Sequence, residues 1–365
     1  MVSKKIMLEL MDEIAPLKNS MDWDNCGLLV DANEEFNGIL VCLDVTKAII
    51  DEADKKGCNL IISHHPVIFK EINKISSNDI VFYAVKKGIS IYSAHTNIDI
   101  ADDGLNHELA NILELIDIDF MNGYDNPYKK IVVNSLADNA ERIKQALVKI
   151  GAGEIGEYSE CMFEIKGIGS FRPSDKANPH IGEKNKLGVV DEIKIECICE
   201  SDKVNSAIKA IKEAHDYEHP AVDIFTLDYP SKSFSFGRIG KLKKTKKLSD
   251  FAVDLKEKLN VEAIRISGNM DKNISKVAVC CGSGADMTKS AFELDADVLV
   301  TGEIKHNHYI DAELMGLSLI DAGHYDTEKH FMELIIKSLQ HAFDSIQCNV
   351  AVSRTEIEKC PYEVI

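Results

Sequence analysis

The sequence has no apolar run near the roughly 18 residues of a membrane span. Its longest runs, NGILVCLDV and DADVLVTG, have strand length. The N-terminal MVSKKIMLELMDEIAPL lacks a uniform apolar core and a small-residue cleavage site, so it reads as a first amphipathic helix and not a signal peptide. None of the ten cysteines forms a C-x-x-C pair; Cys280-Cys281 are adjacent and Cys197-x-Cys199 alternate. A chain this long needs no disulfide framework, so buried free thiols in a reducing compartment, the cytoplasm, are expected. Positive charge is scarce: 42 Lys and Arg face 60 Asp and Glu, a formal net charge of −18. Such a surface repels nucleic acid and anionic membrane. Basic and aromatic residues do not interleave as an RNA-binding sheet requires. Low-complexity segments and obvious short-period repeats are absent.

What is present is 365 residues with an ordinary 45% apolar content, enough for two substantial cores. The expected fold class is α/β: mixed, mostly parallel sheets with flanking helices, built from both chain ends, plus an inserted ferredoxin-like α+β domain. NGILVCLDV, CNLIISHHPVIF and ISIYSAHTNID read as strands, separated by helices at TKAIIDEADKKG, which Gly57 stops, and in the eighties. GLNHELANILELI has helical spacing. From SKVAVCC to IQCNVAVS the same alternation returns, with DTEKHFMELIIKSLQHAF as one long helix. The two halves share a βαβ rhythm. Between them the texture changes to β-α-β-β-α-β, from KIVVNSL to VDIFTLD. The expected domains are 1–126 with 233–365, and an inserted 127–232. The basic stretch GRIGKLKKTKKL, with Lys241, Lys243, Lys244, Lys246 and Lys247, reads as a solvated connector rather than an anion patch.

Polar clusters fall after strands, where ligands sit in open α/β sheets. Ser63-His64-His65-Pro66 ends one strand; two adjacent histidines splayed by a turn serve two nearby ions more naturally than one. Ser93-Ala94-His95-Thr96-Asn97-Ile98-Asp99 ends another, and Asp99 offers a carboxylate. His95, Thr96 and Asn97 suit ligation, support of ligands or turn stabilisation. His324 and Glu328 lie four apart, on one face if a helix begins near Tyr325. Three imidazoles and two carboxylates suit zinc, iron, manganese, cobalt or nickel. Five ligands oversupply one catalytic zinc and make a minimal set for two ions. Such a pair favours an anionic substrate group and stabilises the oxygen on which charge develops.

Supporting groups are less specific. Asp22-Trp23-Asp24-Asn25-Cys26-Gly27 reads equally as a cleft wall or a turn packed by Trp23. Cys281-Gly282-Ser283-Gly284-Ala285 reads as an anion cradle or a close-packed turn, and it is not a P-loop. Glu303, after Thr301-Gly302, is a candidate proton carrier or substrate contact, followed by His306 and His308. His215, Glu218 and His219 read as an ordinary loop, with a secondary metal site as the sharper reading. Phe171-Arg172-Pro173 offers an aromatic and a cation.

MDWDNCGLLV, ISHHPVIF, SAHTNIDIADDGLNHELA, VAVCCGSGADM, VLVTGEIKHNH and LIDAGHYDTEKH together make the sequence recognisable. It resembles the GTP cyclohydrolase 1 type 2 homologue family, also described as dinuclear metal centre proteins. The resemblance implies metal ligands at His64, His65, Asp99, His324 and Glu328, with the glutamate bridging two divalent ions per subunit and the adjacent histidines divided between them. Glu328, Glu303 and His95 are the groups expected to handle protons, and the resemblance implies a toroidal homohexamer around an internal cavity. The middle segment looks like the family's optional insertion, similar to the trimeric signal-transducer and copper-tolerance domains. Cys281 and Asp103-Gly104 replace small residues usual in the family, and neither change removes a ligand. The family name implies opening of the GTP purine ring with formate release. A metal-dependent phosphoesterase and a non-enzymatic metal carrier or scaffold are the alternatives.

Overall fold

A computed structural model describes residues 1–121, 128–227 and 236–363. The chain divides into two compact units, Met1–Gly123 with Phe234–Ile365, and Tyr124–Ser233. The expected boundaries at 126/127 and 232/233 lie outside the described residues.

The first unit contains two mixed sheets with parallel centres. One runs in the order Ala351–Arg354, Gly38–Cys42, Leu60–Ser63, Ser90–Ser93, Gly27–Val30; its first four strands are parallel and Gly27–Val30 is antiparallel. The other runs Arg265–Ser267, Ser318–Asp321, Val298–Thr301, Asn273–Val279, Arg238–Lys247, Ile116–Phe120. Its three strands from Ser318–Asp321 to Asn273–Val279 are parallel and the flanking ones antiparallel.

Side-chain alternation builds the layers. Ile39 and Val41, Leu60 and Ile62, Val277 and Val279, and Val298 and Val300 enter one shared core. Packed with them are Met7 and Met11 of the helix Lys4–Ile14, Phe251 and Leu255 of Leu248–Leu259, and Phe331 and Ile335 of Phe331–Ser345. Leu40, Cys42 and Ile61 face the opposite way, onto Ile49 and Ala53 of Lys47–Lys56 and Ala84 of Ile80–Lys87. Ala278, Leu299 and Leu319 do the same in the second sheet, onto Ala291 and Ala312. Helices therefore cover both faces of each sheet, which explains the continuous apolar strands. Full burial of each such side chain contributes about 1.5–3 kcal/mol.

The second unit is a four-stranded antiparallel sheet in the order Val222–Thr226, Lys129–Ser135, Gly188–Cys199, Met162–Phe171. The helices Ala137–Val148 and Val204–Ala214 place Ile143, Leu147, Ala207 and Ile211 against Ile131, Val133 and Ile195.

Several expectations need correction. The segment Thr96–Ile100 is a short helix, so Asp99 lies on a helix and not in a strand-end turn. The basic stretch, expected to include a strand or turn and then a helix, is the strand Arg238–Lys247 followed by the helix Leu248–Leu259, so only its reading as a connector is corrected. Its lysines face acids: Lys241 with Asp117 at 3.0 Å, Lys247 with Asp271 at 2.7 Å, and Lys246 with Asp254. It is neither a connector nor an anion patch. The long helix after His324 is two pieces, His324–Glu328 and Phe331–Ser345. Ile116–Phe120 and Arg265–Ser267 are further strands that the sequence pattern does not announce, because both are short and end-of-sheet. No helix among the described residues is long and apolar enough to cross a membrane.

Candidate metal centre

The histidine pair is fixed by backbone pairing beyond the strand Leu60–Ser63. His64 N–H donates to Cys42 O at 3.2 Å and His65 N–H to Leu43 O at 3.0 Å. Asn97 caps the neighbouring turn: its Oδ1 accepts from His95 N–H at 2.9 Å, and its Nδ2 donates to Ala15 O at 2.7 Å. Gly323, at φ +92°, turns the chain from Ser318–Asp321 into the helix His324–Glu328, which puts His324 and Glu328 on one face.

These elements converge on Glu328, which is 3% exposed. Its Oε2 lies 3.0 Å from His324 Nε2 and 3.1 Å from His65 Nε2, and its Oε1 lies 3.6 Å from His64 Nε2. His64 Nε2 is also 3.8 Å from Asp99 Oδ1. All five expected ligands thus share one site. His95, expected to handle protons, joins them: His64, His65 and His95 have ligand atoms within 4.8 Å of one another, as do His65, His324 and Glu328.

Each imidazole is oriented from behind. His64 Nδ1–H donates to Ala94 O at 2.8 Å, and His65 Nδ1–H to Asp44 Oδ1 at 2.9 Å. His95 Nδ1–H donates to both oxygens of Asp24, at 2.9 and 3.0 Å. Glu303 Oε1 stands 3.2 Å from His324 Nδ1. With Nδ1 occupied, the Nε2 lone pair of His64 and His65 is directed at the site, as metal-binding histidines require. Fit to cations is further supported by two buried atoms without a hydrogen-bond partner, His64 Nε2 and Asp99 Oδ1, and by Glu328 Oε2, which faces only the Nε2 atoms of His65 and His324. Leaving two such atoms unpaired is costly, and divalent ions satisfy this nitrogen and oxygen set.

The charges are mutually dependent. Burial pushes Glu328 up, but His64, His324 and His65 together hold it well below its ordinary value. Burial, helped by the neighbouring Glu328 charge, leaves Asp99 raised despite His64 and His95. Burial opposes protonation of His64, yet Asp99 and Glu328 raise it. Against the same opposition, Asp44 and Glu328 bring His65 up to about 10. Contact with Glu328 raises His324. Without cations, protons on the imidazoles take the role of balancing the buried carboxylates.

At Cys281, Gly282 and Gly284 the glycine-rich turn is close-packed, with its N–H groups turned inward. Cys281 N–H donates to Asn106 Oδ1 at 2.7 Å, Gly282 N–H to Thr327 Oγ1 at 3.0 Å, and Gly284 N–H to Thr301 Oγ1 at 2.9 Å. Those donors are already used. Gly282 itself is required at φ +59°, since a Cβ there would lie 2.1 Å from Glu328 Oε1. Trp23 is 55% exposed with its ring edge-on to His95 at 6.3 Å, so it stands beside the site rather than packing a turn.

Four residues that support the site were not singled out as such from sequence. Asp24 lay in a flagged motif, but its partners Thr96 and His95 are 72 and 71 residues away. Asp44 and Asn106 carry no motif of their own. Arg238 is 1% exposed; it stacks 3.8 Å over Phe120 and donates to the Ile100 and Ala101 carbonyls behind Asp99. By contrast, His215 has both ring nitrogens engaged, with Asn134 O and Tyr217 N–H, and Glu218 accepts from Asn178 N–H. The ordinary-loop reading holds for that segment.

The sequence matches the model of the family Duf34/NIF3 (NGG1p interacting factor 3) over residues 2–361. A Bacillus subtilis relative, "GTP cyclohydrolase 1 type 2 homolog", is 35% identical over 367 residues, 99% of this chain and 98% of its own. A Staphylococcus aureus relative of the same name is 34% identical over 363 residues, covering 98% of this chain and 99% of its own. Among solved structures, a Bacillus cereus protein related to NIF3 aligns with TM-score 0.72 and 34% identity over 100% of this chain and 99% of that one. Staphylococcus aureus protein SA1388 aligns with TM-score 0.79 and 32% identity, over 98% and 97%. The resemblance read from the histidine, HTN and glycine-turn motifs thus extends over the whole fold, and the chain belongs to the Duf34/NIF3 family.

Proposed function

We propose that this protein is a dinuclear metal-dependent hydrolase of the type its relatives' name suggests, acting on GTP with release of formate. The observation that carries the reading is the convergence of three imidazole Nε2 atoms and two buried carboxylates, with His64 Nε2 and Asp99 Oδ1 left unpaired. His64, His65, Asp99, His324 and Glu328 would hold the ions, with Glu328 between them. Two divalent ions would supply Lewis-acid polarisation and acidify water toward neutral pH. The chain's own residues do the rest. Glu303, 58% exposed beside His324, is placed to carry a proton between site and solvent. Asp24 holds the His95 ring so that its other nitrogen faces the site.

The order of the second unit's strands, with its two helices, supports reading it as a ferredoxin-like insertion. A homohexamer is the assembly implied by the resemblance, and light scattering tests it. The catalytic test uses metal-replete full-length chain and GTP, with formate and phosphate followed separately by mass spectrometry. Metal-dependent formate, abolished in Glu328→Gln, is expected. Phosphate without formate replaces the reading with a phosphoesterase. Neither product, with ions bound and exchanging, replaces it with a carrier.

A further inference from the structure

A cavity of about 540 Å³ opens beside the candidate metal centre, sharing His324 and Glu303 with it. That volume suits a ligand of nucleotide size. Its lining carries three carboxylates, and each already has a partner. Glu303 stands 3.2 Å from His324 Nδ1, Asp286 stands 3.4 Å from His308 Nε2, and Asp321 accepts from Gly323 N–H at 3.2 Å. The lining's two long cations are differently placed. Lys305 has no ion pair or side-chain hydrogen bond among the described residues, and Arg265 has a single 3.7 Å approach to Asp321, its side chain 77% exposed. Besides the Ser283 hydroxyl and the buried, unpartnered Nδ1 of His308, the unspent polar capacity of this cavity is cationic donor capacity: three N–H groups of Lys305 and most of the five of Arg265.

Both cations are anchored close to the centre by their backbones. Arg265 pairs in register with Asp321, three residues before His324. Lys305 lies two residues after Glu303 and immediately before the helix His306–Met315. Apolar contact is available in the same cavity from Ile264, Ile304 and the half-exposed ring of Tyr362.

We infer that this cavity is the substrate recess, and that Arg265 and Lys305 bind the phosphoryl group of a phosphorylated small molecule whose organic part lies against Ile264, Ile304 and Tyr362. This rests on the hydrolase reading above for its reactive end. A guanidinium fork and a lysine ammonium are the side chains that recognise phosphate best.

The test is calorimetric titration of metal-replete full-length chain with GTP, inorganic phosphate and guanosine. Arg265→Ala, Lys305→Ala and the double variant are compared with the parent. Both side chains are surface-facing, and metal content with thermal unfolding checks that each variant is folded and loaded. GTP affinity is expected to fall about tenfold in each single variant and about 100-fold in the double. Guanosine is expected to bind weakly and equally to all four proteins. Inorganic phosphate separates the cations from the ions: the part of its binding that survives chelation is expected to vanish in the double variant. Equal GTP affinity in parent and double variant overturns the inference, as does guanosine binding as tightly as GTP, or no phosphate-bearing probe binding at all. If GTP binds through Arg265 and Lys305 but never turns over, the recess stands and the hydrolase reading falls.

Discussion

Replacing Gly282 by alanine tests the candidate centre without touching any of its ligands. The new Cβ would sit 2.1 Å from Glu328 Oε1, whereas ordinary contact begins near 3.4 Å, so the carboxylate oxygen must retreat by about 1.3 Å. Glu328 has little room to do so, its side chain being 4% exposed and ringed by His64, His65 and His324. Metal–ligand distances tolerate about 0.2 Å, so the displacement is several times what coordination allows. Backbone strain adds about 1–2 kcal/mol, because alanine at φ +59° is left-handed. Gly57→Ala is the matched control: it has φ +70° and nothing within 4 Å of its new Cβ. Both variants are expected to lose the backbone-strain contribution in urea unfolding, and Gly282→Ala more because of its buried clash. Only Gly282→Ala is expected to lose metal, at least tenfold in affinity by chelator competition and elemental analysis. Full metal content and parental affinity in Gly282→Ala would refute the assignment of Glu328 to the ions.

Other expectations follow from the same geometry. His65 is held up to about 10 in the metal-free chain, and His64 and His324 are also raised, so ions must displace protons at neutral pH. Metal affinity should therefore rise from pH 6 to pH 8 with proton release, read by calorimetry in buffers of different ionisation enthalpy; binding independent of pH contradicts this. In metal-free protein, the raised value of His65 gives a stability contribution fully present below about pH 6.5 and lost as pH rises through about 10. The stability gap between parent and His65→Gln in urea should shrink across that range, and a constant gap contradicts the coupling. Arg238→Met strips a buried cation from the Ile100 and Ala101 carbonyls, and a loss of about 3 kcal/mol is expected by chemical denaturation. Asp24→Ala leaves His95 Nδ1 and the Thr96 N–H and hydroxyl without their shared acceptor, at a similar cost, and a change below about 1 kcal/mol would contradict its structural role.

The layered α/β architecture was largely legible, because strands buried on both faces are written as unbroken apolar runs such as GILVC and VLVT. That same continuity hides the register. Which of Ile39 or Leu40 faces the shared core is set by the partner sheet and not by polarity. Short edge strands and the break between Glu328 and Phe331 were not legible, since two or three residues carry no period. The expected ligands were legible as polar residues clustered after strands.

The sequence by itself determined which donor groups the candidate site offers, since a histidine pair, His-x-x-x-Glu and the aspartate after His95-Thr96-Asn97 are local patterns. Only the tertiary structure decided what those residues do to one another. Asp24 with His95, Asp44 with His65 and Arg238 behind Asp99 are pairs separated by 71, 21 and well over 100 residues, the first two brought together by strand pairing within one sheet and the third by a strand of the other sheet. Glu328 sits deep among histidines from the other sheet, and its charge, like the histidines' protons, follows from that burial and proximity. A local pattern fixes donor chemistry, but orientation and protonation depend on neighbours that only the completed fold supplies.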